Sequence, residues 1–194
     1  MAQDPVYHRI TISGDPGSGK TTFARIVAQR TGYKLITTGN IFRKLAAEKG
    51  ISVTELNEMA ETKAEIDRLV DDYIVSLNDT PEHLVLDSRM AWHFMRNALK
   101  IRLTVDLDVA VARIFKDTAE LREKFTDIET AMQEVERRRK SEIFRYKTLY
   151  GVDIGDPANF DLVINTSHKA PEDVTHEFDK VFDAYKARLL KKVS

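Results

Sequence analysis

Gly14-Asp15-Pro16-Gly17-Ser18-Gly19-Lys20-Thr21 decides how this chain is read. The stretch fills every fixed position of G-x-x-x-x-G-K-[ST], a loop whose backbone N–H groups cradle phosphate oxygens. Gly14, Gly17 and Gly19 lack Cβ, so the backbone can turn tightly and approach an anion. Ahead of the loop, Tyr7-His8-Arg9-Ile10-Thr11-Ile12-Ser13 alternates as a short strand does. Behind it, Phe23, Ile26 and Val27 recur at helical spacing over residues 22–30. A strand feeding a Gly-rich loop that opens a helix is the setting the motif requires, because the helix N-terminus adds unpaired N–H groups and the positive end of a dipole. On this reading Lys20 reaches the β- and γ-phosphates of a nucleoside triphosphate and Thr21 sets its hydroxyl on Mg²⁺. Asp15, Pro16, Ser18 and Thr22 complete the donor-phosphate site.

The flanking sequence repeats the strand-then-helix rhythm. Lys34-Leu35-Ile36-Thr37-Thr38 reads as a strand after the turn at Gly32, and Thr38-Gly39 opens a helix over residues 40–49 that stops at Gly50. Ser52-Val53-Thr54-Glu55 has capping-box spacing. Ile66, Leu69, Val70, Tyr73, Ile74 and Leu77 form an amphipathic stripe, so residues 39–80 are a helical excursion between two strands. His83-Leu84-Val85-Leu86-Asp87 is the next strand, residues 100–105 another, and residues 108–116 a helix. Thr126-Asp127-Ile128-Glu129 reads as a second capping box that begins a long charged helix reaching about residue 148. Phe160-Asp161-Leu162-Val163-Ile164 is the last strand. Val174, Phe178, Val181, Phe182, Tyr185 and Leu189 mark the closing helix. Five strands separated by helices predict an α/β fold, a doubly wound parallel sheet covered on both faces, with ligands at the carboxyl ends of the strands.

Composition narrows the function classes. The 194 residues are 42% hydrophobic, enough for a sizeable core, and the formal net charge of −1 implies no strongly basic surface for nucleic acid. Cysteine is absent, which removes disulfides and thiolate metal sites. No apolar run approaches the ~20 residues of a membrane span, and the short polar stretch of residues 1–5 does not read as a secretory signal. A cytoplasmic monomer acting on small molecules, without nucleic-acid or membrane partners, is the expectation.

Three further places carry candidate chemistry. Asp87 ends a strand, where a carboxylate holds Mg²⁺ directly or through water; it reads equally as a cap for the chain that follows. Arg89, two residues on, offers a guanidinium fork to an acceptor phosphate. Thr38-Gly39-Asn40-Ile41-Phe42-Arg43 leaves a strand on the same side of the sheet, although Arg43 alone reads better as a surface arginine. In Arg137-Arg138-Arg139-Lys140-Ser141-Glu142-Ile143-Phe144-Arg145, the residues Arg138, Glu142 and Arg145 share one helix face. Glu142 there can orient both arginines toward a transferring phosphoryl group, or the run is a solvated helix face. Tyr146, Tyr150 and Phe160 read as packing residues.

Together the loop of residues 14–21, Thr37 to Arg43, Leu86-Asp87-Ser88-Arg89 and the R-x-x-x-E-x-x-R of Arg138 to Arg145 resemble the nucleoside monophosphate kinases. The stretch Arg145-Tyr146, Leu149-Tyr150-Gly151-Val152-Asp153, Asp156 and Phe160 to Ser167 is similar to the short form of cytidylate kinase found in archaea and some bacteria. The resemblance covers nearly the whole chain. It implies a P-loop kinase fold of five strands in order 2-3-1-4-5, with core residues 6–38, 81–116 and 157–194. It further implies an acceptor-binding region at about 39–80 and a lid at about 117–156. ATP with Mg²⁺ is the implied donor and CMP or dCMP the implied acceptor. AMP, UMP, a shikimate-like alcohol or a non-kinase regulatory role are the alternatives left open. The same resemblance puts Thr38, Gly39, Arg43, Asp87 and Arg89 around the acceptor, Arg138 and Arg145 over the phosphates from the lid, and Arg113 on the donor's adenine. Asp15 stands where family members often carry proline or another neutral residue; a carboxylate there opposes a triphosphate unless it points away. Met90-Ala91-Trp92-His93 departs from the longer bacterial pattern, which leaves the residues that read the base unassigned.

Overall fold

The computed structural model of the protein describes residues 8–53, 55–56, 59, 64–116 and 127–193. Strand β1 (Arg9–Gly14) feeds α1 (Lys20–Thr31), then β2 (Lys34–Thr37) and α2 (Thr38–Lys49). Helix α3 (Ala64–Ser76) and a 3₁₀ turn (Leu77–Asp79) lead to β3 (Leu84–Asp87) and a short helix α4 (Ala91–Phe94). Strand β4 (Leu99–Thr104) precedes α5 (Leu107–Lys116) and the long α6 (Ile128–Tyr150). A second 3₁₀ turn (Pro157–Asn159), β5 (Leu162–Asn165) and α7 (Pro171–Val193) close the chain.

The strands form one parallel sheet in the order β2-β3-β1-β4-β5, the order that the kinase resemblance implies. Every residue of β1 is buried, as befits the central strand of a sheet covered on both faces. The period-2 alternation of side chains assigns each face its core. Ile10, Ile12, Val85, Ile101 and Ile164 meet α1 and α7 through Phe23, Val27 and Phe178. On the opposite face Leu84, Leu86 and Ile36 meet α2 and α3 through Ile41, Leu45, Ile66 and Ile74. Tyr185 ties α7 to β1: its hydroxyl accepts from Arg9 N at 2.9 Å and lies 2.9 Å from the Asn97 carbonyl. Among the described residues no helix is long and apolar enough to cross a membrane.

Several local readings shift. The capping box at residue 52 forms reciprocally, Ser52 N donating to Glu55 Oε2 at 2.8 Å and Glu55 N to Ser52 Oγ at 3.1 Å. The one anticipated at Thr126 lies partly outside the described residues; α6 is capped by Asp127, whose carboxylate accepts from Thr130 N at 2.7 Å. Helix α2 starts earlier than its sequence reading, with Thr37 as the cap accepting from Asn40 N at 3.1 Å. That frees Thr38 to donate its hydroxyl to the Asp87 carbonyl at 3.2 Å, linking β2 to β3 at their functional ends. Strand β5 starts at Leu162 rather than Phe160, because the 3₁₀ turn uses the preceding residues and Asp161 accepts from Lys100 N at 2.8 Å.

Candidate active site

The carboxyl ends of β1 and β3 meet the start of α1, and there the phosphate loop folds as its glycines dictate. Gly14 has φ +147°, and a Cβ on it would fall 2.0 Å from the Leu103 carbonyl oxygen of the neighbouring strand. Gly17 has φ +77°, and its Cβ would press on Ala110 of α5 at 2.9 Å. Inside the loop, Asp15 O accepts from Ser18 Oγ at 2.8 Å and from Lys20 Nζ at 3.0 Å. Lys20 as a residue is half-buried, but its ammonium sits deep among protein atoms. Burial, followed by the charge of Arg89, pushes it from 10.5 down to about 8, and the nearby Asp87, Glu142 and Asp15 only partly oppose this. A cation held in that way gains most when an anion arrives.

Thr21 and Asp87, sixty-six positions apart, meet: Thr21 Oγ1 donates to Asp87 Oδ2 at 2.7 Å. Asp87 is buried at the end of β3. Two hard oxygen donors side by side beside a phosphate cradle suit an ion such as Mg²⁺, which keeps several waters and binds through one or two protein oxygens plus phosphate.

On the donor side, a cavity of about 260 Å³ opens beside the loop, its apolar walls including Phe23, Ile26, Leu103, Pro171 and Val174. Arg113 stands between this cavity and a second of about 220 Å³ lined by Gly17, Gly19, Lys20, Thr21 and Thr22. Its guanidinium is fixed by Thr166, donating to Oγ1 at 3.0 Å and to the carbonyl at 2.7 Å, and reaches the Gly17 carbonyl at 3.3 Å. A flat apolar slot edged by a fixed guanidinium, next to a phosphate cradle, fits a nucleotide base.

Beside the start of the loop, a small cavity of about 60 Å³ carries Arg89, Arg102 and Arg139 together with Asp15, Pro16 and Glu142. Arg89 Nε pairs with Glu142 Oε1 at 2.7 Å. Glu142 thus reaches across from α6 to the end of β3. Arg145 is also elsewhere than over the phosphate loop. It pairs with Asp67 of α3 at 3.5 Å and donates to the Tyr146 hydroxyl at 2.9 Å. The side chain of Arg138 lies outside the described residues. Arg43 is exposed and lies over Gly39, where an added Cβ would be 3.6 Å from Nη1. The loop residues, Lys20, Thr21, Asp87 and Arg89 are thus gathered in one place. Thr38 is tied to the Asp87 backbone, Gly39 and Arg43 rim the same end of the sheet, and Arg145 faces the acceptor-side helix.

A model of the cytidylate kinase-like family matches residues 9–168. The chain belongs to that family. The cytidylate kinase of Archaeoglobus fulgidus is 37% identical over 185 residues, covering 95% of this chain and 99% of the relative. That of Methanothermobacter thermautotrophicus is 39% identical over 158 residues, covering 81% of this chain and 94% of the relative. Among solved structures, an uncharacterized protein from Eubacterium ventriosum superposes with a TM-score of 0.67 at 18% identity, covering 91% of this chain and 98% of the other. Shikimate kinase from Bacteroides thetaiotaomicron does so with a TM-score of 0.62 at 14% identity and the same coverage. These structural likenesses establish the fold; the family match carries the kinship to cytidylate kinases.

Four site residues escaped the sequence reading: Arg102, Arg139, Asp67 and Asp71. Arg102 sits at a half-buried position of the alternating strand β4, between Ile101 and Leu103, and a charge there demands a partner. Arg139 lies inside the basic run but one position away from the face that was weighed. Asp71 accepts from the Tyr150 hydroxyl, and burial, helped by neighbouring Asp67, drives its carboxyl up to about 6 although that hydroxyl and Arg145 pull the other way. Tyr146 and Tyr150 do pack, with Met90, Trp92 and Ile154, yet both hydroxyls also serve this polar contact between α3 and α6.

Proposed function

We propose that the protein transfers the γ-phosphoryl group of ATP to the 5′-phosphate of CMP or dCMP, giving the diphosphate and ADP. The observation that carries this reading is the second cationic group beside the phosphate loop. Arg89, anchored at the end of β3, lies close enough to Lys20 to help depress its ammonium. An acceptor that is itself a phosphate needs such a group, because a guanidinium fork matches phosphate oxygens. Membership in a family whose relatives are cytidylate kinases supplies the acceptor's identity.

In the proposed reaction an acceptor phosphate oxygen attacks the γ-phosphorus as the bond to the β–γ bridging oxygen breaks, and that oxygen leaves with ADP. The attacking oxygen is already anionic at neutral pH, so no dedicated base is required. Lys20 and the loop N–H groups hold the β- and γ-oxygens, Thr22 extends the cradle, and Arg113 orders the donor base. Arg89 and Arg43 hold the acceptor phosphate, with Thr38 and Gly39 beside it. Thr21 and Asp87 would hold Mg²⁺, which would supply charge neutralisation for the phosphates. The phosphate displaces Glu142 from Arg89. Arg145 turns from Asp67 toward the transferring group, and Arg138 has the same role on sequence grounds. Residues 117–156 act as the lid and residues 39–80 as the acceptor-binding region, and their closure excludes the water that competes as acceptor. One chain supplies the donor, acceptor and lid groups, which supports a monomer, and substrates of this kind support a cytoplasmic location. The test is product identity. Incubation with ATP, Mg²⁺ and CMP should yield CDP by chromatography in step with ADP; ADP without any phosphorylated cytidine product overturns the reading.

A further inference from the structure

Asp15 is the position where this loop breaks with its own chemistry, since a carboxylate is set beside the site of a polyanion. Each of its oxygens has an arginine. Oδ1 lies 2.9 Å from Arg102 Nη2 and Oδ2 3.4 Å from Arg139 Nη2. The three side chains are only 16%, 12% and 25% exposed, so water screens the cluster weakly. The arginines have second engagements. Arg139, on the lid helix α6, donates to the Val105 carbonyl at 2.8 Å. Arg102, on β4, donates to the carbonyl of Ile154 at 2.6 Å, in the segment that returns from the lid. Both limbs of the lid therefore converge on one carboxylate of the phosphate loop. The backbone oxygen of that same residue receives Lys20 Nζ.

We infer that Asp15 is a positioning residue that registers the lid on the phosphate loop and makes lid closure and ATP binding favour one another. With the lid closed, two guanidinium groups outweigh one carboxylate and the cluster is net positive toward a triphosphate. With Arg139 withdrawn, Arg102 and the carboxylate cancel, and the cluster no longer attracts the same phosphates. ATP thus binds the closed form more tightly and, by linkage, draws the lid shut. The inference rests on the kinase reading above for the meaning of the lid, but its test does not need CMP.

The test measures ATP·Mg²⁺ affinity by calorimetry on the full chain for wild type, Asp15→Asn, Arg139→Gln and the double variant. Melting curves monitor the fold. Arg139→Gln should weaken ATP binding about tenfold, within the range of such couplings. Adding Asp15→Asn should restore affinity to within about threefold of wild type, because Arg102 alone returns the cluster to the net positive charge of the wild type. Asp15→Asn alone should bind ATP at least as tightly as wild type, yet release more ADP in the absence of acceptor, because the lid has lost its register. A double variant as weak as Arg139→Gln overturns the inference, since a purely structural pair is not rescued by losing its second member. So does Asp15→Asn binding ATP more weakly than wild type, a result that stands even if Arg139→Gln does not fold. A wild type that binds ATP but never phosphorylates CMP refutes the proposed function and leaves these affinity comparisons intact.

Discussion

Replacing Lys20 with methionine should raise the stability of the nucleotide-free protein while removing its turnover. Methionine keeps the length and apolar stem and discards the charge. Burial and Arg89 depress the Lys20 ammonium from 10.5 to about 8. At ~1.36 kcal/mol per pH unit, that depression sets the cost of holding the charge at pH 7 at about 3 kcal/mol. Losing the hydrogen bond from Nζ to Asp15 O takes back about 1–2 kcal/mol, a charged donor being worth more than a neutral one. A net gain of about 1–2 kcal/mol remains, and a chain of this length shifts its Tm by about 2–4 °C per kcal/mol. The variant should therefore melt roughly 5 °C higher at pH 7. The pH dependence has a definite sign. The folded pKa lies below the unfolded one, so between about pH 8 and 10.5 the unfolded chain binds the extra proton and wild-type stability rises with pH. The gap between variant and wild type should narrow by pH 9.5. Melting curves at both pH values, without nucleotide, make the measurement, and coupled ADP detection should show turnover lower by roughly a thousandfold. A variant that melts well below wild type at pH 7, or a gap that does not change with pH, refutes the claim that Lys20 is held at a cost.

Asp87→Asn leaves Thr21 a hydrogen-bond partner but removes the negative charge, and it should raise the Mg²⁺ concentration needed for half-maximal ADP production about tenfold or more with little change in Tm. Gly14→Ala places a Cβ 2.0 Å from the Leu103 carbonyl oxygen, so it should lose nucleotide binding in calorimetry and melt several degrees lower, whereas an unchanged Tm contradicts the fixed approach of loop and strand. His8 and His83 are held below 6.5, chiefly by burial, and are neutral when folded. The unfolded chain protonates first, so their contribution is lost as pH falls below about 6.5, and His83→Gln should flatten that acid loss in Tm against pH. Asp71, raised to about 6, acts in the opposite sense: its contribution is full below about pH 4 and fades as pH rises through about 6, so Asp71→Asn should steepen the acid loss. Trp92, the single tryptophan of the chain, is buried against Tyr146 and Ile154 of the proposed lid, and its emission should shift when ATP and CMP are added together; an unchanged spectrum during turnover contradicts a moving lid.

What was legible in the sequence was local. The phosphate loop announces itself because its glycines, lysine and threonine sit within one turn of chain, and the strands because their apolar runs end at Gly14, Thr37 and Asp87. The strand order needed the family resemblance, since spacing alone gives parallel strands but not their neighbours. Pairings between distant residues were not legible. Asp15 flagged itself only as an anomaly; its partners Arg102 and Arg139 lie in other elements, and only the fold brings them to it. Glu142 shows how a sound local rule is overridden. Its i, i+4 geometry does place it with Arg138 and Arg145 on one helix face, but Arg89, just past the end of β3, lies 2.7 Å away and pairs with it. Arg145 is turned toward Asp67 for the same kind of reason: α3 brings a half-buried carboxylate to that side of α6, and no sequence spacing relates the two.

The most direct test of the kinase assignment is ADP production from ATP and Mg²⁺ with CMP, dCMP, UMP, AMP and shikimate supplied one at a time, in the wild type and in Arg89→Ala. The account expects strong stimulation by CMP or dCMP, little by the others, and a KM for the preferred nucleotide at least tenfold higher in Arg89→Ala, as the loss of a charge-assisted phosphate contact requires. Preferential stimulation by another acceptor, or an unchanged KM in Arg89→Ala, would contradict it.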